Sequence, residues 1–262
     1  MIGVFDSGLG GLTALREAQR LLPDHDFVYF GDTGRVPYGT RSPETITRYA
    51  AQSLRFLHGQ HADAVLAACG TVSSVALDRL QRDYFFPMVG VVKPAASAAA
   101  AATRNGRIGV IGTGATIASR SFEKRLKALD DTIETMGVAC PLFVSLVENG
   151  FIAEDDDIAL PAVRRYLAPL QEFGIDTLIL GCTHFPLLAD VIRRVLPDVT
   201  LINSGQEAAR ELADTVTRGS GGGSGRTTYY VSDNPDNFSA VASLFLGETF
   251  QGDVIKIDVD SL

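Results

Sequence analysis

The sequence predicts an α/β fold built from two pseudo-symmetric lobes with mostly parallel sheets. Short β-branched apolar runs alternate with amphipathic stretches, as in βαβ units with right-handed crossovers. The runs are almost continuously apolar, which is typical of parallel strands covered on both faces. Two segments also repeat in the same order: IGVFDSGLG at 2–10 returns as IGVIGTGAT at 108–116, and AVLAAC at 64–69 returns as TLILGC at 177–182.

The individual elements follow from these patterns in chain order. Apolar positions three to four residues apart predict helices over 12–22 and 46–57, and Ser42, Pro43 and Glu44 have the composition of a helix start. A further helix is expected around 238–246. The predicted strands are 2–5, 27–30, 64–67, 89–92, 108–111, 177–180, 199–202, 228–231 and 254–257.

The domain boundaries are placed by composition. Lys93-Pro94 and the alanine-rich run to Ala102 predict a crossover between lobes, and the RGSGGGSGR segment at 218–226 predicts a flexible loop. One helix and two strands after that loop are too little for a third domain. We therefore expect a first lobe of residues 1–93 plus 206–262 and a second lobe of residues 94–205.

Composition excludes several classes of protein. The chain has 262 residues, 46% apolar and 21% charged, and no run approaches the roughly 20 apolar residues of a membrane span. The first residues lack the basic region of a signal peptide. Three cysteines without a CxxC pair fit a reducing cytoplasm better than a disulfide framework or a zinc site. A net charge of −8 argues against nucleic acid as the partner.

Two of the three cysteines are candidate reactive groups. Cys69 and Cys182 each end a predicted strand and precede a predicted helix, where the helix dipole lowers a thiol pKa. Cys140 lies inside an apolar run and is predicted to pack in the core.

Several polar residues accompany these thiols. Asp6, His184 and Glu148 could assist proton transfer, although a helix cap, a helix-start histidine and a solvated acid are the structural alternatives. Hydroxyl groups and helix-start N–H groups can bind a carboxylate or phosphate without Lys or Arg. The hydroxyl candidates are Ser7, Thr71, Thr113, Thr116 and Thr183.

Other cofactor chemistries find little support in the sequence. The glycines at 8–11 do not form GxGxxG, and no GK[ST] follows Gly114. Of four lysines only Lys93 is at a strand end, so a pyridoxal phosphate enzyme would depend on it. The histidines are scattered, which predicts no metal site.

Taken together, the motifs resemble the glutamate racemase family of the aspartate/glutamate racemase superfamily. They are IGVFDSGLGGLTALRE, YFGDTGRVPYGTRSPETI, IGVIGTGATI, ACPLFVSLVENG and LILGCTHFPLL, in the order of that family. The resemblance implies a cofactor-independent enzyme, often a dimer, whose active site lies in the cleft between the lobes. It implies proton transfer by Cys69 and Cys182, assisted by Asp6, His184 and Glu148. It implies glutamate binding by Ser7, Tyr38, Gly39, Thr71 and Thr183. Gly70, Thr113 and Thr116 are added as further candidate substrate-binding residues.

The sequence departs from the family pattern at Gly70, where the family usually has an asparagine that contacts substrate. An asparagine at this position is therefore expected to restore a contact if the surrounding backbone tolerates a side chain. The position of Asn203, where the family usually has aspartate, is a second departure. The expected activity is interconversion of L- and D-glutamate, with D-glutamate supplied to peptidoglycan synthesis. A racemase for another amino acid such as aspartate, and a non-catalytic amino-acid- or protein-binding relative, are the alternatives.

Overall fold

Two parallel sheets organise the chain, which a computed structural model describes for residues 1–216 and 223–259. The six-stranded sheet has the order β10-β9-β2-β1-β3-β4, and the four-stranded sheet has the order β6-β5-β7-β8. Every strand pair in the described residues is parallel. The strands are β1 Ile2–Asp6, β2 Phe27–Gly31, β3 Ala64–Ala67, β4 Met88–Gly90, β5 Arg107–Gly112, β6 Glu134–Ala139, β7 Thr177–Leu180, β8 Thr200–Asn203, β9 Thr227–Val231 and β10 Val254–Lys256.

The predicted pseudo-symmetry is present in the strand order. Strands β1 to β4 are arranged β2-β1-β3-β4, and strands β5 to β8 repeat this arrangement as β6-β5-β7-β8. Cys69 follows β3 and Cys182 follows β7, so the two thiols occupy equivalent places in the two sheets. Because ligands bind beyond the carboxyl ends of parallel strands, this equivalence brings both cysteines to functional edges.

Helices cover the sheets and connect their strands. Helix α2 begins as the sequence predicts, with Pro43 in its first turn and the Ser42 hydroxyl accepting a hydrogen bond from the Thr45 N–H at 3.3 Å. The helices are α1 Leu12–Leu21, α2 Pro43–Gly59, α3 Gly70–Val75, α4 Leu77–Leu80, α5 Val92–Ala102, α6 Gly114–Ser119, α7 Ser121–Leu129, α8 Pro141–Glu148, α9 Ala159–Phe173, α10 Ala189–Val195, α11 Ser204–Val216 and α12 Pro235–Leu246. No helix in the described ranges is long and apolar enough to cross a membrane.

Two elements differ from the sequence prediction. The strand expected at 89–92 ends at Gly90, and Val91 already has helical backbone angles before α5 begins at Val92. Strand β6 was not predicted at all. It forms an edge of the second sheet and none of its residues is fully buried, so it lacks a continuous apolar run.

The last strands join the first sheet, where β9 pairs with β2 and β10 pairs with β9. Helix α5 crosses to the second sheet and α11 returns from it, and the expected boundaries at 93 and 205 fall just inside these two helices. The division of the chain at these boundaries stays a prediction. Of the predicted loop at 218–226, residues 218–222 lie outside the described part of the chain.

A single apolar cluster continues across the two sheets. It includes Leu12 and Leu15 of α1, Leu212 of α11, and Phe143 and Phe185 of the second lobe. Helix α11 packs against both α1 and α5. The lobes therefore share buried surface, which fixes how closely their strand ends approach each other.

Candidate active site

A cavity of about 240 Å³ lies where the carboxyl ends of the two sheets face each other. The first lobe contributes the loops after β1, β2 and β3, and the second contributes the loops after β5 and β7 together with α8. Neither Lys nor Arg is among the lining residues. These are Ser7, Gly8, Val36, Pro37, Tyr38, Gly39, Cys69, Gly70, Thr71, Thr113, Val144, Ser145, Glu148, Cys182, Thr183 and His184.

Cys69 lines the cavity from the first lobe and is almost fully buried. Its Sγ donates to the Ser7 hydroxyl oxygen at 3.4 Å. Burial and the neighbouring Asp6 carboxylate raise the pKa of the Cys69 thiol to about 12, although hydrogen bonds from Ser7 and the Val72 backbone act in the opposite direction. The pKa of Cys69 is thus raised and not lowered as its helix-start position predicted, and desolvation by burial is the largest cause.

Cys182 has a different set of neighbours on the opposite wall. Its Sγ lies 3.9 Å from Nδ1 of His184, and Nε2 of His184 lies 3.0 Å from Oε1 of Glu148. Burial lowers the pKa of His184, but hydrogen bonds to Cys182 and Glu148 and electrostatic interactions with Cys182 and Asp6 outweigh it, and the pKa rises to about 10. His184 is therefore protonated near neutral pH, and its positive charge stands beside one of the two thiols.

Asp6 lies behind the cavity wall and is fully buried at the end of β1. Its Oδ2 accepts a hydrogen bond from the Gly8 N–H at 3.0 Å, whereas its Oδ1 has no partner among the described residues. Burial raises the pKa of Asp6, and the charge of His184 opposes that rise. Asp6 acts electrostatically on both Cys69 and His184, so it belongs to both halves of the site.

The predicted hydroxyl donors separate into two groups. Thr71 Oγ1 and Thr113 Oγ1 are 2.9 Å apart, which links the loop after β3 to the loop after β5 across the cleft. Thr183 also lines the cavity, and its carbonyl accepts from the Thr13 hydroxyl at 3.0 Å. Thr116 does not line the cavity, because it is buried beneath Thr113 with its Oγ1 3.0 Å from Thr113 Oγ1. It supports Thr113 and does not face a ligand.

Tyr38 lines the cavity, but its hydroxyl is already engaged. It donates to Oδ2 of the buried Asp32, which also accepts from Arg35 Nε at 2.7 Å. The Ser232 hydroxyl donates to the other oxygen of Asp32 at 2.7 Å. The ring of Tyr38 therefore forms part of the wall, and its hydroxyl closes a hydrogen bond within the loop after β2. Asp32 of that loop also binds Ser232, the residue after β9.

Three glycines of the first lobe stand so close to the second lobe that a side-chain carbon on any of them would collide with it. A methyl carbon on Gly70 would overlap the carbonyl oxygen of Gly181 and lie 3.1 Å from its carbonyl carbon. A methyl carbon on Gly39 would lie 2.6 Å from Cβ of Thr113, and one on Gly10 would lie 2.5 Å from Nδ1 of His184. In this arrangement an asparagine at position 70 has no space for its Cβ, so the expected substrate contact could form only if the loops bearing Gly70 and Gly181 moved apart.

The structure confirms the predicted core position of Cys140 and adds residues to the cavity lining. Cys140 is fully buried at the start of α8, and its Sγ donates to the Val138 carbonyl at 3.6 Å. It does not line the cavity. Gly8, Val36, Pro37, Val144 and Ser145 line the cavity and were missed as individual site residues. Their signal was their position inside the family motifs, and among them only Ser145 has a polar side chain.

The arrangement has the parts that a two-base proton transfer needs. Two thiols from different sheets face one cavity, one beside an imidazole and one beside a serine hydroxyl and a buried carboxylate. Hydroxyl and main-chain N–H groups are left to bind an anion. Within the described residues no cluster of three or more His, Cys, Asp or Glu could hold a metal ion.

Comparison with known proteins places this geometry in a family. The family model described as "Asp/Glu/Hydantoin racemase" matches residues 13–212. The chain is 45% identical over 265 residues to a glutamate racemase of Geobacter metallireducens, covering 99% of this chain and 97% of the relative. It is 43% identical to a glutamate racemase of Aquifex aeolicus, covering 94% of each.

Solved structures of glutamate racemases have the same fold over the whole length of this chain. The glutamate racemase of Francisella tularensis in complex with D-glutamate has a TM-score of 0.92 and 35% identity, covering 100% of this chain and 98% of that one. The glutamate racemase of Thermus thermophilus in complex with beta-chloro-D-alanine has a TM-score of 0.88 and 41% identity, with coverage of 100% and 98%. With its two thiols at equivalent strand ends of two matching sheets, the chain belongs to the Asp/Glu/hydantoin racemase family.

Proposed function

We propose that the chain interconverts L- and D-glutamate without a cofactor, using Cys69 and Cys182 as the two proton-transfer groups. The observation that carries this proposal is the placement of both thiols in one cavity, on equivalent loops of opposite lobes. Glutamate is favoured as the substrate because relatives with 40–45% identity over nearly the full chain are glutamate racemases.

The proposed reaction requires one base and one acid on opposite faces of the α-carbon. A thiolate takes the α-proton, the electron pair of the broken C–H bond is delocalised toward the carboxylate, and the opposite thiol donates its proton to the other face. The first thiol ends protonated and the second ionised, so the reverse reaction exchanges their roles. Donors fixed around the carboxylate stabilise the carbanion-like state.

The neighbours of the thiols fit different resting states. The positive charge on His184, which Glu148 contacts, lies next to the Cys182 sulfur and would stabilise negative charge developing there during the reaction. The raised pKa of Cys69 keeps that group as a thiol until substrate binds. Asp6, Glu148 and His184 act through these sulfurs, and Ser7, Thr71, Thr113 and Thr183 are proposed to bind the substrate's carboxylates and ammonium group together with main-chain N–H groups.

The test is D-glutamate formation from L-glutamate by the purified protein. We expect activity with no added cofactor, and unchanged activity after dialysis against a chelator and a carbonyl reagent. A loss that pyridoxal phosphate or a metal restores would contradict the proposal. Aspartate, supplied in parallel, is expected to react much more slowly, and a faster reaction with aspartate would reassign the substrate.

The biological setting is part of the same proposal. D-Glutamate is a building block of peptidoglycan, so the product would enter cell-wall synthesis in the cytoplasm. A homodimer is expected from the family resemblance. Light scattering of the purified chain tests that expectation, and a single-chain mass at micromolar concentration would contradict it.

A further inference from the structure

Tyr29 of β2 is fully buried, and its hydroxyl contacts the loop after β1 without lining the active-site cavity. Its Oη donates to the Gly8 carbonyl oxygen at 2.9 Å. The ring packs against Tyr229 and Phe238, with ring centroids 6.3 and 5.9 Å away, so packing holds the hydroxyl in place. Burial raises the pKa of Tyr29 well above its usual value, so the hydroxyl keeps the hydrogen that it donates.

Both backbone polar groups of Gly8 are held within the first lobe. Its N–H donates to Asp6 Oδ2 at 3.0 Å, and its carbonyl oxygen accepts from the tyrosine hydroxyl. The same carbonyl oxygen lies against β2, because a methyl carbon on Gly31 would come within 2.5 Å of it. Ser7 stands between these two anchored residues and accepts the hydrogen bond from Cys69 Sγ at 3.4 Å. The tyrosine hydroxyl therefore helps to fix the backbone beside the residue that contacts the thiol.

The second lobe has a glycine at the equivalent place. Tyr29 pairs with Val4 of β1 in the first sheet, and Gly137 pairs with Val110 of β5 in the second sheet. Val4 and Val110 are the same position of the repeated segment that begins IGV. Because glycine has no side chain, the loop after β5 receives no hydroxyl from this position. The support that Tyr29 gives thus belongs to one half of the site.

We infer that Tyr29 is a positioning residue for proton transfer at Cys69, because its hydroxyl fixes the loop after β1 and keeps Ser7 in contact with the sulfur. The Ser7 hydroxyl can accept from the thiol and donate to the thiolate, so it can follow both protonation states of Cys69. Displacement of the loop would remove this partner. Cys182 has His184 beside it and would keep its own partner. This role rests on the proposed function, in which Cys69 is one of two proton-transfer groups.

The test compares Tyr29→Phe, which keeps the ring and removes the hydroxyl, in two single-thiol proteins. Cys182→Ser leaves Cys69 as the thiol in the cavity, and Cys69→Ser leaves Cys182. Exchange of the glutamate α-hydrogen in heavy water is measured by mass spectrometry. We expect Tyr29→Phe to lower exchange about tenfold where Cys69 remains, and by less than about twofold where Cys182 remains. A general loosening of the fold would lower both rates alike.

A second measurement, alkylation of Cys69 by iodoacetamide in the Cys182→Ser protein, does not depend on turnover. At pH 9 the rate follows the thiolate fraction, because the pKa of Cys69 is about 12. The hydrogen bond from Ser7 lowers this pKa, so Tyr29→Phe should slow alkylation about threefold. Ser7→Ala should slow it similarly, and adding Tyr29→Phe to Ser7→Ala should have no further effect. Gly31→Ala, which displaces the same Gly8 carbonyl, is the second variant if Tyr29→Phe folds poorly.

Tyr229→Phe is the matched control, because Tyr229 belongs to the same aromatic cluster but its hydroxyl contacts Gln19 and Thr227. Exchange and alkylation should be unchanged in this variant. The role of Tyr29 is overturned by equal losses of exchange in the two single-thiol proteins, by unchanged or faster alkylation of Cys69, or by the same effects in Tyr229→Phe. If neither single-thiol protein exchanges hydrogen, the proposed function fails, and the alkylation rates still decide the role of Tyr29.

Discussion

The two thiols are chemically alike but meet different neighbours. Cys69 lies beside a hydroxyl and a carboxylate that both sit in the first lobe, whereas Cys182 lies beside an imidazole that Glu148 holds. Such asymmetry suits a pair in which one sulfur is ionised while the other is protonated. Each sulfur should therefore be needed for inversion, but only one of them for proton removal from a given enantiomer.

Replacing either cysteine by serine should separate these roles. A serine hydroxyl is a much weaker acid than a thiol, so Cys69→Ser and Cys182→Ser should each lower racemisation by about three orders of magnitude or more. Each variant keeps one thiol and should exchange the α-hydrogen of one enantiomer with solvent. The measurement is deuterium incorporation into L- and D-glutamate in heavy water, followed by mass spectrometry.

Cys140→Ser is the control for this experiment. Its sulfur packs in the core and does not line the cavity, so the folded variant should racemise normally. The assignment of the two thiols to opposite faces of the α-carbon fails if Cys69→Ser and Cys182→Ser exchange the α-hydrogen of the same enantiomer. It also fails if Cys140→Ser is the inactive variant.

We predict that Gly70 matters because it lets the loops of the two lobes approach each other closely, and not because it contacts the substrate. Gly70→Ala would push its Cβ against the Gly181 carbonyl, so the loops bearing Cys69 and Cys182 must separate. We expect at least a tenfold loss in kcat/KM for glutamate, and a similar or larger loss for Gly70→Asn. Steady-state kinetics on variants with wild-type circular dichroism provide the measurement.

Gly114→Ala is the matched comparison, since Gly114 is also the first residue of a helix after a central strand. Its added carbon would meet only the Gly39 carbonyl oxygen at 3.5 Å, an ordinary contact. Gly59→Ala, with no atom within 4 Å, reports any general effect of losing a glycine. A Gly70→Asn enzyme with improved kcat/KM would show that the loops adjust without loss.

Elements on the two sides of the cleft are joined by the hydroxyl pair of Thr71 and Thr113. Thr71 stands in the first turn of α3, and Thr113 caps α6 by accepting from the Thr116 N–H at 3.2 Å. The two hydroxyls therefore tie together helix starts that belong to different sheets. A hydrogen bond between neutral groups contributes about 0.5–1.5 kcal/mol net.

A double-mutant cycle with Thr71→Val and Thr113→Val measures the contribution of the hydrogen bond between the two hydroxyls to stability. We expect a coupling free energy of unfolding of about 0.5–1.5 kcal/mol. Thr113→Val alone should cost more than Thr71→Val, because it also removes a helix cap. Urea denaturation of the four proteins gives the values, and additive effects would show that the two hydroxyls do not stabilise each other.

For the molecule as a whole, the buried imidazole couples stability to pH. The pKa of His184 rises from its usual 6.5 to about 10 on folding. A group with a raised pKa stabilises the folded state fully below its unfolded pKa, and the contribution disappears as pH rises through the folded pKa. The stabilisation should therefore be complete near pH 6 and absent above pH 10.

The variant Glu148→Gln tests this pH dependence of the free energy of unfolding. The variant loses the carboxylate that supports the imidazolium, so its deficit in unfolding free energy should be larger at pH 6 than at pH 10. Denaturant melts at both pH values are the measurement. Glu154→Gln removes an exposed partner of Arg194, whose charge does not change in this range, and should show no such difference. A pH-independent deficit for Glu148→Gln would contradict the raised pKa of His184.

Much of the fold was readable from local patterns. The β-branched runs predicted the central strands β3 and β7 with their observed bounds, because strands buried on both faces leave a continuous apolar signal. Strand β6 was missed because none of its residues is fully buried and it has no continuous apolar run. The other edge strands, β4, β8 and β10, were predicted with bounds that differ by one or two residues from the observed ones. The repeated strand–cysteine segments likewise indicated two equivalent positions, which the matching strand orders of the sheets confirm.

The sequence by itself thus determined the parallel architecture, the duplication and the residues that carry chemistry. The tertiary structure alone decided which of them face one cavity: Thr113 lines it whereas Thr116 lies beneath, and Gly70 touches Gly181 across the cleft. It also decided that burial raises the pKa of Cys69 despite its helix-start position. Periodicity and turn chemistry are local properties, whereas distances between loops of different lobes and the desolvation of a thiol depend on how α1, α5 and α11 pack the lobes together.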